Sequence, residues 1–230
     1  MALKIFDVDP DAAPRAPLDD LVGRFRSGAQ IQDRPVALTE WRFTTGDPDV
    51  AATVADLLGG APASWETKTE ENLEVYTEAP SISIILDGAN AVKSGMVLWG
   101  RNALIRSCDG VTQKDGTACA CPQKVADRKD AAKAGHGCQP SLQVYFRLAD
   151  APDLGKMRFM SGSWSMAAEI GEAEEALEKI GGPAFATLTL VKVEYTTKAG
   201  REVSFTKPVL KVTGPAPVAS DPVYGDEEPF

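Results

Sequence analysis

The chain has 230 residues, a formal net charge of −9 and a pI near 4.8. That length can bury a core without covalent staples, since chains above about 150 residues hide roughly 70% of their unfolded surface. The negative balance opposes any general grip on nucleic acid, which needs Lys and Arg to displace phosphate counterions, so a protein partner is the better expectation. No apolar run approaches the ~18 residues of a spanning helix, and no membrane role is expected. The start, MALKIFDVDPDAAP, lacks the basic end and the apolar stretch of about 7–15 residues of a secretory signal. The expected compartment is the cytoplasm of a bacterial host, where thiols stay reduced.

In chain order, residues 1–20 hold Pro10, Pro14 and Pro17 among aspartates, which predicts an extended N-terminal arm. PVALTEWRFTT (35–45) has strand character. DPDVAATVADLLGG (47–60) predicts a helix: Asp47 or the Pro48 turn starts it, Val50, Val54, Leu57 and Leu58 form one stripe, and Gly59-Gly60 ends it. LEVYTE, SISIILDG, MVLWG and ALIRS then read as short strands between turns. PQKVADRKDAAKAG (122–135) predicts a short helix with proline at a first-turn position and glycine at its end.

SLQVYFRLAD and GKMRFMSGS resemble a strand pair. From Ser165 to Gly181, Met166, Ile170, Ala173, Leu177 and Ile180 recur at nearly helical spacing, with most glutamates elsewhere. AFATLTLVKVEYTT and REVSFTKPVLKV alternate clearly and read as one long hairpin turned at KAG. Strands do not alternate regularly with helices, which argues against a doubly wound parallel sheet. The expected fold is α+β: a mainly antiparallel sheet, two longer helices and a loop region stabilised by zinc on four cysteines. It forms one domain over 21–213, with the metal loop at 108–138 and a disordered acidic tail over 214–230.

The four cysteines, Cys108, Cys119, Cys121 and Cys138, follow the spacing C-x10-C-x-C-x16-C. Each falls at a predicted element boundary or a glycine-rich turn, where the backbone can aim a sulfur inward. Zinc takes four soft ligands in a tetrahedron at about 2.3 Å, and a structural zinc on these four thiolates is the favoured reading. The C-x-C pair departs from the usual C-x2-C knuckle, and two disulfides or unpaired thiols are the alternatives. His136, the single histidine, is a further candidate ligand or an exposed turn residue. Four thiolates leave no open coordination position for catalysis.

Catalytic patterns are otherwise missing. One histidine leaves little room for a hydrolytic triad, and neither a phosphate-binding G-x-x-x-x-G-K-[ST] nor a G-x-G-x-x-G follows a strand. SGSWS (161–165) reads as a turn and helix cap, with Ser163 or Ser165 bonding free amides and Trp164 packed inward. Acidic pairs such as Asp19-Asp20, Glu70-Glu71 and Glu227-Glu228 read as solvated faces. The chain is not expected to be an enzyme.

DLVGRFRSG (20–28), RPVALTEWRFTTGDPDVA (34–51) and WETKTEENLEVYTEAPSISIIL (65–86) resemble an actinobacterial phage family, as do CDG (108–110), C-x-CP (119–122) and FRLADAPDLGKMRFMSGSWS (146–165). That family comprises the recombination directionality factors of large serine integrases. The resemblance implies a protein without chemistry of its own. It would bind a phage-encoded serine integrase, permit recombination between the prophage junctions and inhibit integration, meeting DNA mainly through the integrase.

The competing expectation is a single-stranded nucleic-acid-binding module of phage replication with a structural zinc. It would stack bases on Trp41, Trp99, Tyr145, Phe146 and Phe159, although their apolar strand positions favour core packing. A zinc-dependent hydrolase or nucleotide enzyme is a third.

Overall fold

In a computed structural model, which describes residues 21–31, 34–197 and 200–217, the first element is a strand that its own composition disguises. β1 (Leu21–Ile31, LVGRFRSGAQI) mixes glycines and arginines. Gly23 and Phe25 face the core, and Arg24 and Arg26 face outward at half exposure. Glycine is needed at 23 because a Cβ there would run into the Phe43 ring and stand 2.9 Å from the Thr44 carbonyl. β1 pairs antiparallel with β2 (Arg34–Thr45) and parallel with β11 (Lys156–Ser161).

The remaining strands of the main sheet are β3 (Pro62–Ser64), β4 (Leu73–Tyr76), β5 (Ser81–Leu86), β6 (Val92–Lys93), β10 (Leu142–Leu148), β12 (Ala184–Thr196) and β13 (Glu202–Pro215). The order is β13-β12-β5-β10-β11-β1-β2-β4-β3, with β6 beside β10. Every pairing described in it is antiparallel except β1 with β11. β12 and β13 also contact β2, so the sheet curls over and both ends share one core.

Alternation explains which face goes inside. In β10, Leu142, Val144, Phe146 and Leu148 are buried while the residues between them are half exposed. An aromatic cluster fills the centre. The Phe25 ring lies 4.9 Å from Phe43 and 5.6 Å from Phe146, and Trp41 meets Phe159 edge-on at 5.1 Å. Trp41 also donates its indole N–H to the Pro80 carbonyl at 3.0 Å, which satisfies its one polar atom.

The helices are α1 (Pro48–Leu58), α2 (Val125–Lys133) and α3 (Trp164–Ile180); α1 and α3 form where capping residues and apolar spacing place them, whereas α2 has no side-chain cap and starts after Pro122, a residue expected in its first turn. Asp47 accepts from the amides of Asp49 and Val50, and Gly59 ends α1. Val50, Ala51 and Val54 are buried, but Leu57, expected in the same stripe, is 40% exposed. Ser163 accepts from the Met166 amide, and Gly181 closes α3 in the left-handed conformation at φ +68°. Trp164 is half-buried, and the Lys129 ammonium lies 5.7 Å from its ring centre.

The long hairpin forms as expected, and its second strand runs through Pro215, two positions into the stretch expected to be tail. The expected arm over 1–20, the turn residues 198–199 and the rest of the tail beyond 217 lie outside the described residues. Among the described residues no helix is long and apolar enough to cross a membrane.

A second, smaller sheet has the order β8-β7-β9, built from β7 (Met96–Trp99), β8 (Leu104–Cys108) and β9 (Gln139–Pro140). It carries its own core of Leu98, Cys108, Cys121 and Cys138, with Met96 and Cys119 packed against it.

Candidate metal centre

The cysteines converge because local devices aim them. Cys108 is the last residue of β8. Beyond it, the Asp109 carboxylate accepts the amides of Val111 and Thr112, each at 2.7 Å, folding the chain straight back. Those two amides hold the Asp109 pKa below its usual value. Asp115 repeats the turn with Thr117, bonding its hydroxyl at 2.6 Å and its amide at 3.0 Å. The Cys119 amide then bonds the Val111 carbonyl at 2.7 Å, bringing Cys119 back beside Cys108.

Cys138 arrives by a different route. The chain leaves α2 through Gly135 (φ +80°), and the amides of His136 and Gly137 both bond the Ala131 carbonyl. Gly137 passes so close to α2 that a Cβ would stand 2.7 Å from the Ala131 methyl. The next residue, Cys138, is fully buried. His136 itself is exposed on the turn and stands outside the sulfur cluster.

The sulfurs of Cys108, Cys119 and Cys138 all lie within 4.8 Å of one another, and the Cys108 and Cys119 sulfurs are 3.4 Å apart. Four sulfurs at about 2.3 Å around a zinc would be roughly 3.8 Å from each other, so this trio has the spacing of three corners of a tetrahedron. Cys121 is buried but is not one of the trio. Its sulfur accepts the Cys138 amide at 3.2 Å and an Arg106 guanidinium N–H at 3.4 Å, and it interacts with the thiols of Cys119 and Cys138. No sequence signal announces the Arg106 contact, since Arg106 reads only as part of a short strand.

Burial and mutual contact set the thiols apart. Burial pushes the Cys138 thiol up to about 12, with the Cys121 hydrogen bond and the charge of Cys108 adding to it. Burial and the bond to Cys119 raise Cys108. Burial opposes ionisation at Cys119 as well, yet the Cys121 amide and the surrounding thiols outweigh it and bring Cys119 down to about 7. The Cys119 charge adds to the rise at Cys108, and a bound metal would have to displace the protons that remain. The soft donors and their spacing fit a thiophilic metal ion.

Elsewhere, three of the five aromatics proposed as stacking platforms, Trp41, Phe146 and Phe159, are buried in the main core. Tyr145 is half-buried and only Trp99 of the five is well exposed. Of the acidic pairs, Asp19-Asp20 and Glu227-Glu228 lie outside the described residues. Glu71 departs from the expected solvated face. It joins Arg24 at 2.6 Å and Arg26 at 3.4 Å on the outer face of β1, and it accepts the Thr44 hydroxyl at 3.1 Å. Burial, opposed by the Glu71 charge, lowers the Arg26 pKa.

No solved structure matches the chain. A family model described as Gp3-like, recombination directionality factor-like, matches residues 22–213, which take in the smaller sheet, the three helices described above, the four cysteines and all of the main sheet but the outer ends of β1 and β13. The chain belongs to this Gp3-like family of recombination directionality factor-like proteins.

Proposed function

We propose that the protein is a recombination directionality factor that binds a phage-encoded large serine integrase and switches it from integration to excision of the prophage. The observation that carries this reading is the family match over residues 22–213. The protein works by contact, without catalysis of its own, and meets DNA mainly through the integrase in the host cytoplasm. An acidic chain suits that role, because it complements a DNA-binding partner instead of competing for phosphates.

Physically, the switch is a population shift. If the integrase has two arrangements, one competent for integration and one for excision, a factor can shift them only by its differential affinity. A preference of about 2.7 kcal/mol changes their ratio roughly 100-fold.

The metal serves the fold. Cys108, Cys119 and Cys138 would hold zinc, with Cys121 as the fourth thiolate. The ion would supply folding free energy to a small sheet whose apolar core, among the described residues, is otherwise Leu98 and Met96. The experiment is recombination by purified integrase on both pairs of attachment sites, with and without this protein. Excision should appear and integration should fall. Unchanged direction would overturn the proposal.

A further inference from the structure

Residues 96–140 reverse the charge of the chain. This unit holds the smaller sheet, α2 and the four cysteines. It carries seven Lys and Arg against four Asp, whereas the other 185 residues carry 17 Lys and Arg against 29 Asp and Glu. Its cations are also placed differently. In the main sheet Arg24, Arg26, Arg42 and Arg147 each hold a carboxylate, but none of the seven in this unit is in an ion pair among the described residues. Arg106 bonds the Cys121 sulfur, Arg128 bonds the Pro122 carbonyl and Lys129 lies near the Trp164 ring. Arg101, Lys114, Lys124 and Lys133 stand exposed. Of the four acids, Asp109 and Asp115 accept the amides of their own turns, and Asp127 and Asp130 are exposed on α2.

The unit also presents apolar surface. Val111, Ile105, Trp99 and Val125 are the four most exposed large apolar residues among those described, each at 60% or more. Two of them sit at the tip of the β7–β8 hairpin. Leu98 pairs with Arg106 and Trp99 with Leu104, so Ile105 is the extra residue of a bulge, a device that re-aims a side chain. Leu98 packs on the sulfurs, so Trp99 and its partner Leu104 point to the opposite face. The chain turns between them, with the Gly100 amide bonded to the Ala103 carbonyl at 2.8 Å. Arg101 and Asn102 occupy the turn. Both are exposed, and neither side chain has a hydrogen-bond or ion-pair partner among the described residues.

These features select a polyanion whose edges can be read. An excess of cations without carboxylate partners attracts phosphates. A two-stranded ribbon is narrow enough to enter the major groove of duplex DNA, which is about 12 Å wide. Arg and Asn bond bidentately to guanine and adenine edges there, and an apolar side chain suits the thymine methyl. A protein partner would call for an apolar centre with a polar rim, whereas this tip is led by two polar donors with Trp99 and Ile105 behind them. The acidic remainder of the chain repels DNA, which confines the contact to this end of the molecule.

We infer that the β7–β8 hairpin is a wing that contacts duplex DNA directly, with Arg101 and Asn102 entering the groove and Trp99 and Ile105 packing beside them. The inference goes beyond the directionality reading and requires no recombinase, so its failure leaves that reading standing. It is tested by fluorescence anisotropy of a short labelled DNA duplex with the full chain, at low salt and over a salt series, with thermal melting alongside. The variants are R101Q, W99S/I105S and, as a control that removes one exposed cation from the main domain, K192Q.

The parent should bind at low salt and lose affinity steadily as salt rises. R101Q should bind about tenfold more weakly, and W99S/I105S should weaken by a similar factor at an unchanged salt slope. K192Q should bind as the parent does. Arg101 lies in an exposed turn, so R101Q should melt like the parent and its result stands even if W99S/I105S unfolds. No binding by the parent at low salt overturns the inference. Parent-like binding by R101Q or by folded W99S/I105S overturns it, as does a loss in K192Q equal to that in R101Q, which would mean that only net charge is sensed. Polyglutamate that displaces the label as well as unlabelled duplex of equal charge makes an acidic protein the occupant and overturns it too.

Discussion

The sulfurs of Cys108 and Cys119 stand 3.4 Å apart although a ten-residue loop separates them in the chain. The loop closes through Asp109 and Asp115 turns that are complete without any ion. The turns therefore supply the approach, and a metal would supply the reason for the buried thiols to remain.

Metal removal should act locally. The sulfur-centred core and the large aromatic core are separate clusters. Hydrogen exchange with a strong chelator present should strip protection from amides across residues 96–140 and leave β10 and β12 protected. Metal analysis should find about one zinc per chain before chelation. Uniform protection before and after would show that the thiols do not need a metal.

Arg106 should support that site without being essential to it. Its guanidinium N–H reaches the Cys121 sulfur at 3.4 Å, and that contact raises the Arg106 pKa. R106A should keep the fold but release metal to a chromogenic chelator more readily, with affinity down about 10-fold or more, as for other groups that orient metal-bound side chains. Release at the parent's rate would remove Arg106 from the site.

Gly23→Ala should destabilise the main domain. The new methyl must displace the Phe43 ring or the Thr44 carbonyl, and overpacking of this kind costs about 1–3 kcal/mol. Urea denaturation reads it as a lower midpoint at unchanged slope. An unchanged midpoint would mean that β1 and β2 are less tightly opposed than described.

Glu71→Gln should cost about 1 kcal/mol in the same assay, because it leaves Arg24 and Arg26 facing each other without their shared carboxylate. Both arginines are more than a third exposed, so salt should shrink the difference. A salt-independent loss would point to packing instead.

Much of this fold is legible in the sequence wherever period and punctuation agree. α1 has Asp47 before it and Gly59 after it, and α3 has Ser163 and Gly181. The long hairpin announces itself by strict alternation. β1 is hidden because one core position is glycine, which carries no hydrophobic signal, and its outer positions are arginines that find Glu71 only through the tertiary fold. Its parallel pairing with β11 joins segments about 130 residues apart, which no local pattern encodes. The cysteine count and the turns point to one cluster, yet spacing alone does not separate the trio from Cys121.

The directionality role itself meets its sharpest test in a defined recombination reaction. Purified serine integrase is given the two prophage-junction sites, and recombinant product is counted with and without an equimolar amount of this protein. Product should form only with the protein present, while the same addition suppresses joining of the phage and bacterial sites. An integrase whose action on neither pair of sites changes when the protein is added would contradict the account.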